Sequence, residues 1–115
     1  MEICMSTKKP IEILQLQEAP LTALRLLDGW VVITERGVVS CVKGEWTQLY
    51  RHPSHIVCGA ITPKGIWLGS IDGLWRVEGT DVVGLAASGP VCRLWYCSHK
   101  LYVLDGGGYL YSVAL

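Results

Sequence analysis

Apolar residues fall along this chain in short runs of about four to seven, rich in Val, Ile, Leu, Trp and Tyr. Gly, Pro, Asp or Ser interrupts them about every 8 to 10 residues. No stretch keeps an i, i+3, i+4, i+7 pattern for three turns. The best helical candidate, residues 19–27, is two turns long and carries Pro20. The pattern predicts an all-β chain.

The runs repeat. GWVVITERGVVSCV (29–42), GIWLGSIDGLWRV (65–77) and KLYVLDGGGYLYSV (100–113) align without a gap at their centres. Gly37, Gly73 and Gly108 share a column, and Trp30, Ile66 and Leu101 another, at spacings of 36 and 35. Each segment reads as a hairpin with a turn that ends in glycine, the residue that adopts positive φ at least cost. Upstream, QLQEAPL (15–21), QLYRHPS (48–54) and GLAASGP (84–90) look alike: in each a strand ends, a proline (Pro20, Pro53, Pro90) sits in the turn, and an apolar strand follows. Three units of four strands follow: 11–17, 21–27, 29–34 and 37–42; then 45–50, 55–61, 65–70 and 73–78; then 81–86, 91–97, 100–105 and 108–114. Residues 1–10 form a polar tail, and residues 11–115 one domain.

Four-stranded antiparallel units of this period are the blades of a β-propeller. The second strands WVVI, IWLG and LYVL are apolar at consecutive positions, as in a sheet stacked between two neighbours. The segment IWLGSIDGLWRVEG (66–79) resembles the two-component-regulator type of propeller repeat. Its features are an apolar–Trp–apolar–Gly–Ser run, Asp-Gly-Leu at the turn, then an aromatic and a basic residue. The other two units match in part, so the resemblance covers roughly 20–114 and implies a fold, not an activity.

Three blades cannot close a ring, and bare sheet edges and apolar faces invite association. A second copy would complete a six-bladed propeller about a twofold axis. The strand order in each unit is outer, inner, second, third. The third blade therefore lacks its outer strand, and strand 11–17 has no blade of its own. The expectation is a homodimer closed by strand exchange, 11–17 pairing with residues 109–113 of the partner subunit.

Composition narrows the partners. Ten acidic and ten basic residues leave zero formal charge, which excludes electrostatics as the main attraction to nucleic acid or an anionic membrane. With 50% of residues hydrophobic and 17% charged, the chain is not disordered. The start MEICMSTKKPIE does not read as a secretory signal, and the odd, irregularly spaced cysteines at 4, 41, 58, 92 and 97 suit a reducing cytoplasm. His52, His55 and Cys58 make an H-x2-H-x2-C run, but strand alternation opposes convergence on zinc, so no metal and no cofactor is expected.

Candidate binding residues lie where a propeller's loops gather. Glu18, Arg51, His52 and His55 fall in the loops between outer and inner strands, and Glu35, Arg36, Asp72 and Asp105 in the hairpin turns of the same face. Asp72 and Asp105 also read as ordinary turn formers. Arg25 and Arg93 fall on inner strands, where they would point into the channel as an anion site. Of the five tryptophans, Trp46 is the one expected at the surface and the others in the packing between blades. No catalytic motif is present. The reading is a non-catalytic protein-interaction scaffold, with a small-molecule or lectin-like propeller as the alternative.

Overall fold

The computed structural model describes residue 16 and residues 18–79, 81–85 and 89–115. Among them are eleven strands in three antiparallel sheets and no helix. The first sheet runs β1 (Pro20–Arg25), β2 (Gly29–Thr34), β3 (Gly37–Val42), β4 (Glu45–Arg51). The second runs β5 (Ile56–Thr62), β6 (Gly65–Ser70), β7 (Gly73–Glu78), β8 (Asp81–Leu85). The third has β9 (Val91–Cys97), β10 (Lys100–Asp105) and β11 (Leu110–Ala114). Each four-stranded sheet thus takes three strands from one sequence unit and its fourth from the next. The third sheet has no fourth strand among the described residues. Of the strand predicted over 11–17 only Leu16 is described, and it belongs to no strand; the rest of it, and its pairing with a partner subunit, lie outside the described residues.

The repeat is written in the hydrogen bonds. Glu35 N donates to Ala19 O at 3.0 Å, Ile71 N to His55 O at 3.3 Å and Gly106 N to Pro90 O at 2.6 Å, at the same 36 and 35 spacings. Two sequence readings are corrected by this frame. Pro20 opens β1 where Ile56 and Val91 open β5 and β9, whereas Pro53 lies in the preceding loop, so the prolines are not one column. The third hairpin also has one residue more. Ile33 pairs with Val38 and Gly69 with Leu74, but Leu104 pairs with Leu110, which moves Gly108 into the turn.

Two apolar layers hold the sheets face to face. Ile33 and Val38 of the first sheet pack with Ile56, Leu68 and Val77 of the second. Ala60, Trp67 and Leu74 of the second pack with Val91, Leu101 and Val103 of the third. The middle sheet is therefore buried on both faces, which is why Trp67 and Leu68 are adjacent in sequence and both inaccessible. In β10 burial instead alternates: Leu101, Val103 and Asp105 are covered, Tyr102 and Leu104 only partly. The expectation of a strand buried on both faces fails there because, among the described residues, no sheet covers the far side of the third. The edge strands β1 and β5 touch, as do β5 and β9.

The open face of the third sheet carries residues whose equivalents are buried. Val38, Leu74 and Leu110 occupy one position, with exposures of 0%, 3% and 62%. Trp95 stacks on Tyr102 across β9 and β10 on that same face, with ring centroids 5.6 Å apart.

Candidate functional site

One buried polar residue closes each of the three hairpins. Thr34, Ser70 and Asp105 end β2, β6 and β10 and are inaccessible to solvent. Each has a side-chain oxygen that accepts turn N–H groups: Arg36 and Gly37 bond to Thr34, Asp72 to Ser70, and Gly107 and Tyr109 to Asp105. A buried hydroxyl or carboxylate persists here because it satisfies donors that a tight turn leaves unpaired. Asp105, a candidate binding residue by sequence, is spent on its own turn and on the Tyr111 hydroxyl 2.5 Å away.

The densest polar cluster joins the first sheet to the second. His52 is buried in the loop after β4, and its main-chain N–H bonds to Arg36 O at 2.8 Å. Its Nε2 lies 3.2 Å from Asp72 Oδ1 and its Nδ1 2.7 Å from the Tyr50 hydroxyl. The tautomer with its proton on Nε2 satisfies both contacts, Tyr50 donating to Nδ1. Asp72 Oδ1 also accepts the Ser70 hydroxyl and Trp75 Nε1–H at 2.9 Å, and the Trp75 ring meets His52 edge-on. Burial opposes ionisation of Asp72, but the polar hydrogens of Ser70, Ser54, His52 and Trp75 outweigh it and hold the carboxyl well below its usual range. Burial first, and then the Asp72 charge, push the Tyr50 phenol up.

Neighbouring candidates gather at the same end. Glu18 accepts the Thr34 hydroxyl at 2.9 Å and faces Arg51 at 3.5 Å. Glu35 and Arg36 are tied through their backbones to Ile56 and His52, and His55 through its carbonyl to Ile71. Glu18, Glu35, Arg36, Arg51, His52, His55 and Asp72 thus share one end of the first two sheets. Arg25 and Arg93 do not join them or each other, since β5 lies between their strands. Arg25 lies over the Trp30 ring, 5.8 Å from its centroid. Arg93 is exposed on β9. Both ring nitrogens of His52 are engaged, so the H-x2-H-x2-C run does not converge, and no metal-holding group of side chains occurs among the described residues.

Sequence reasoning passed over Thr34, Ser70, Tyr50 and Trp75. The first two carried a signal: with Asp105 they form a polar column of 36 and 35 spacing inside apolar strands. Trp46 is exposed as expected, at 41%, but Trp95 is exposed equally. A cavity of about 280 Å³ lies beside the first sheet, lined by Leu16, Glu18, Thr34, Val39, Trp46 and Gln48. Among the thiols, burial chiefly, with help from Cys92 and against Arg93 and the Gly69 backbone, pushes Cys58 up to about 11.

No family model matches the chain, and no curated protein does. Among solved structures it is similar to the crystal structure of the computationally designed Ika4 protein, with a TM-score of 0.62 at 14% identity. The match covers 84% of this chain and 66% of the designed one, and it bears on the fold alone.

Proposed function

We propose that the three sheets are propeller blades, that two copies close a six-bladed ring, and that the ring is a non-catalytic scaffold for another protein. The carrying observation is Leu110: its equivalents Val38 and Leu74 are buried against the next sheet, while Leu110 stands open. Two further features support a second copy as the cover. Among the described residues the third sheet lacks the fourth strand that the other two have, and its open face continues the chemistry of the existing layers with Leu104, Tyr102 and Trp95. Head-to-tail contact of third sheet on first, made twice, closes about a twofold axis. In this reading residues 11–17 supply the missing strand to the partner subunit, as β4 and β8 do within one chain.

The polar end supports a scaffold over an enzyme. Asp72, His52, Tyr50 and Ser70 saturate one another, which fixes a loop surface and leaves Arg36, Arg51 and His55 to meet a partner. A second reading, a small-molecule or carbohydrate-binding propeller, draws on the exposed Trp46 and Trp95. Native mass spectrometry tests the assembly: a particle of twice 12.7 kDa is expected, and a compact monomer at micromolar concentration overturns the ring. Pull-down from a lysate with the Arg36→Glu/Arg51→Glu variant as control tests the scaffold. A partner retained by wild type and lost by the variant is expected, whereas a glycan-array signal with no retained protein favours the second reading.

A further inference from the structure

Two of the three sheets place an aromatic ring at one equivalent position, and the first does not. Trp75 pairs with Leu68 and Tyr111 with Val103, but Val39 pairs with Val32. Both rings donate a hydrogen bond to an acid at their own turn: Trp75 Nε1–H to Asp72 at 2.9 Å, the Tyr111 hydroxyl to Asp105 at 2.5 Å. The first sheet keeps the other parts of this arrangement. Thr34 stands where Ser70 does, and its hydroxyl donates to Glu18 as that of Ser70 donates to Asp72. What it lacks is the ring, and there the cavity of about 280 Å³ lies, with Val39 and Glu18 in its wall.

We propose that this cavity binds a planar aromatic molecule bearing a ring N–H or O–H donor, of the indole or phenol class. The donor bonds to Glu18, and the ring lies over Val39 between Leu16 and Trp46. Size permits it, since an apolar cavity of about 150 Å³ takes benzene. Charge permits it too: a carboxylate has about four acceptor sites, and Thr34 and Arg51 use two of those on Glu18. The lining residues all belong to one chain, but Val39 and Trp46 lie on the face of the first sheet that the proposed ring turns toward the partner, so binding is read both in wild type and in a variant that opens that interface.

The test is a titration of the full-length, isotope-labelled protein with indole, p-cresol and toluene, followed by NMR through the Trp46 indole and Thr34 amide signals. Indole and p-cresol are expected to shift both, with toluene, which lacks the donor, binding roughly tenfold more weakly. Glu18→Gln should erase most of that difference. Val39→Trp, which supplies the ring found in the second sheet, should abolish binding and raise the melting temperature. The Leu110→Asp variant, designed to open the ring, should still bind. Equal affinity for toluene and indole in wild type overturns the proposal. So does undiminished indole binding by Val39→Trp, or no Trp46 shift in either wild type or Leu110→Asp. Should Val39→Trp fail to fold, the Glu18→Gln comparison decides alone. A monomeric wild type that binds indole would reject the ring and keep this site.

Discussion

At the scale of single residues, the joint between the first two sheets depends on a carboxylate that accepts three side-chain hydrogen bonds at one oxygen. Hydrogen bonds to a charged group contribute about 1.5–3 kcal/mol each when buried, and less where solvent reaches, as it does at Asp72. Ser70→Ala and His52→Ala should each destabilise by about 1–2 kcal/mol in denaturant titration. The pH dependence has a definite sign. Asp72 titrates lower in the folded chain than in the unfolded one, where its pKa is about 3.9. Its contribution is therefore complete above about pH 4 and is lost as pH falls below that. Asp72→Asn should be destabilised at pH 7, with the gap to wild type narrowing at pH 3. Thiols offer a second reading at this scale: Cys92 and Cys97 are exposed, while Cys58 is raised to about 11. Maleimide labelling at pH 7, mapped by mass spectrometry, should modify Cys92 and Cys97 long before Cys58.

Elements fail or hold at their turns. A Cβ on Gly37 would stand 2.0 Å from the Tyr50 carbonyl oxygen, a backbone atom that cannot step aside. Gly73 has room but sits at φ +128°. Gly37→Val and Gly73→Val should each cost at least ~1 kcal/mol, Gly37 the more, read as a fall in thermal midpoint. Strand existence was legible because alternation, length and glycine spacing all point the same way along 29–42 and 65–77. The polar joint was not. Its members Tyr50, His52, Ser70, Asp72 and Trp75 come from two sheets, and nothing in their spacing says that these ends meet. The third hairpin misled for a related reason. Three consecutive glycines from Gly106 to Gly108 hide an inserted residue, since any of them can fill the aligned column.

For the whole molecule, the two interfaces between sheets give the pattern for the proposed third one, between two copies. Leu110→Asp puts a charge where Val38 and Leu74 bury methyl groups, and should convert the expected dimer to monomer or aggregate by light scattering. Deleting residues 1–18 removes both the proposed exchange strand and Glu18, and should give aggregated rather than compact protein. A soluble, compact monomer from that truncation would refute strand exchange. The open aromatic pair Trp95–Tyr102 should lose solvent exposure on assembly, visible as a blue shift in tryptophan emission on concentration.

The unit of sequence and the unit of folding are out of step by one strand, because β4 and β8 each belong to the unit after their own sheet. In the proposed ring, such a phase difference puts the strand expected over 11–17 at one end of the chain and the place for it at the other, three blades away, so a single copy cannot bring the two together. Only covalent joining of one copy's end to another's beginning changes that. A tandem gene, Leu115 linked to a second Met1, would turn two of the four chain ends into an internal crossover. The phase then acts as a latch between the fused halves. The fusion should fold at concentrations where separate copies come apart, and its melting temperature should no longer depend on dilution.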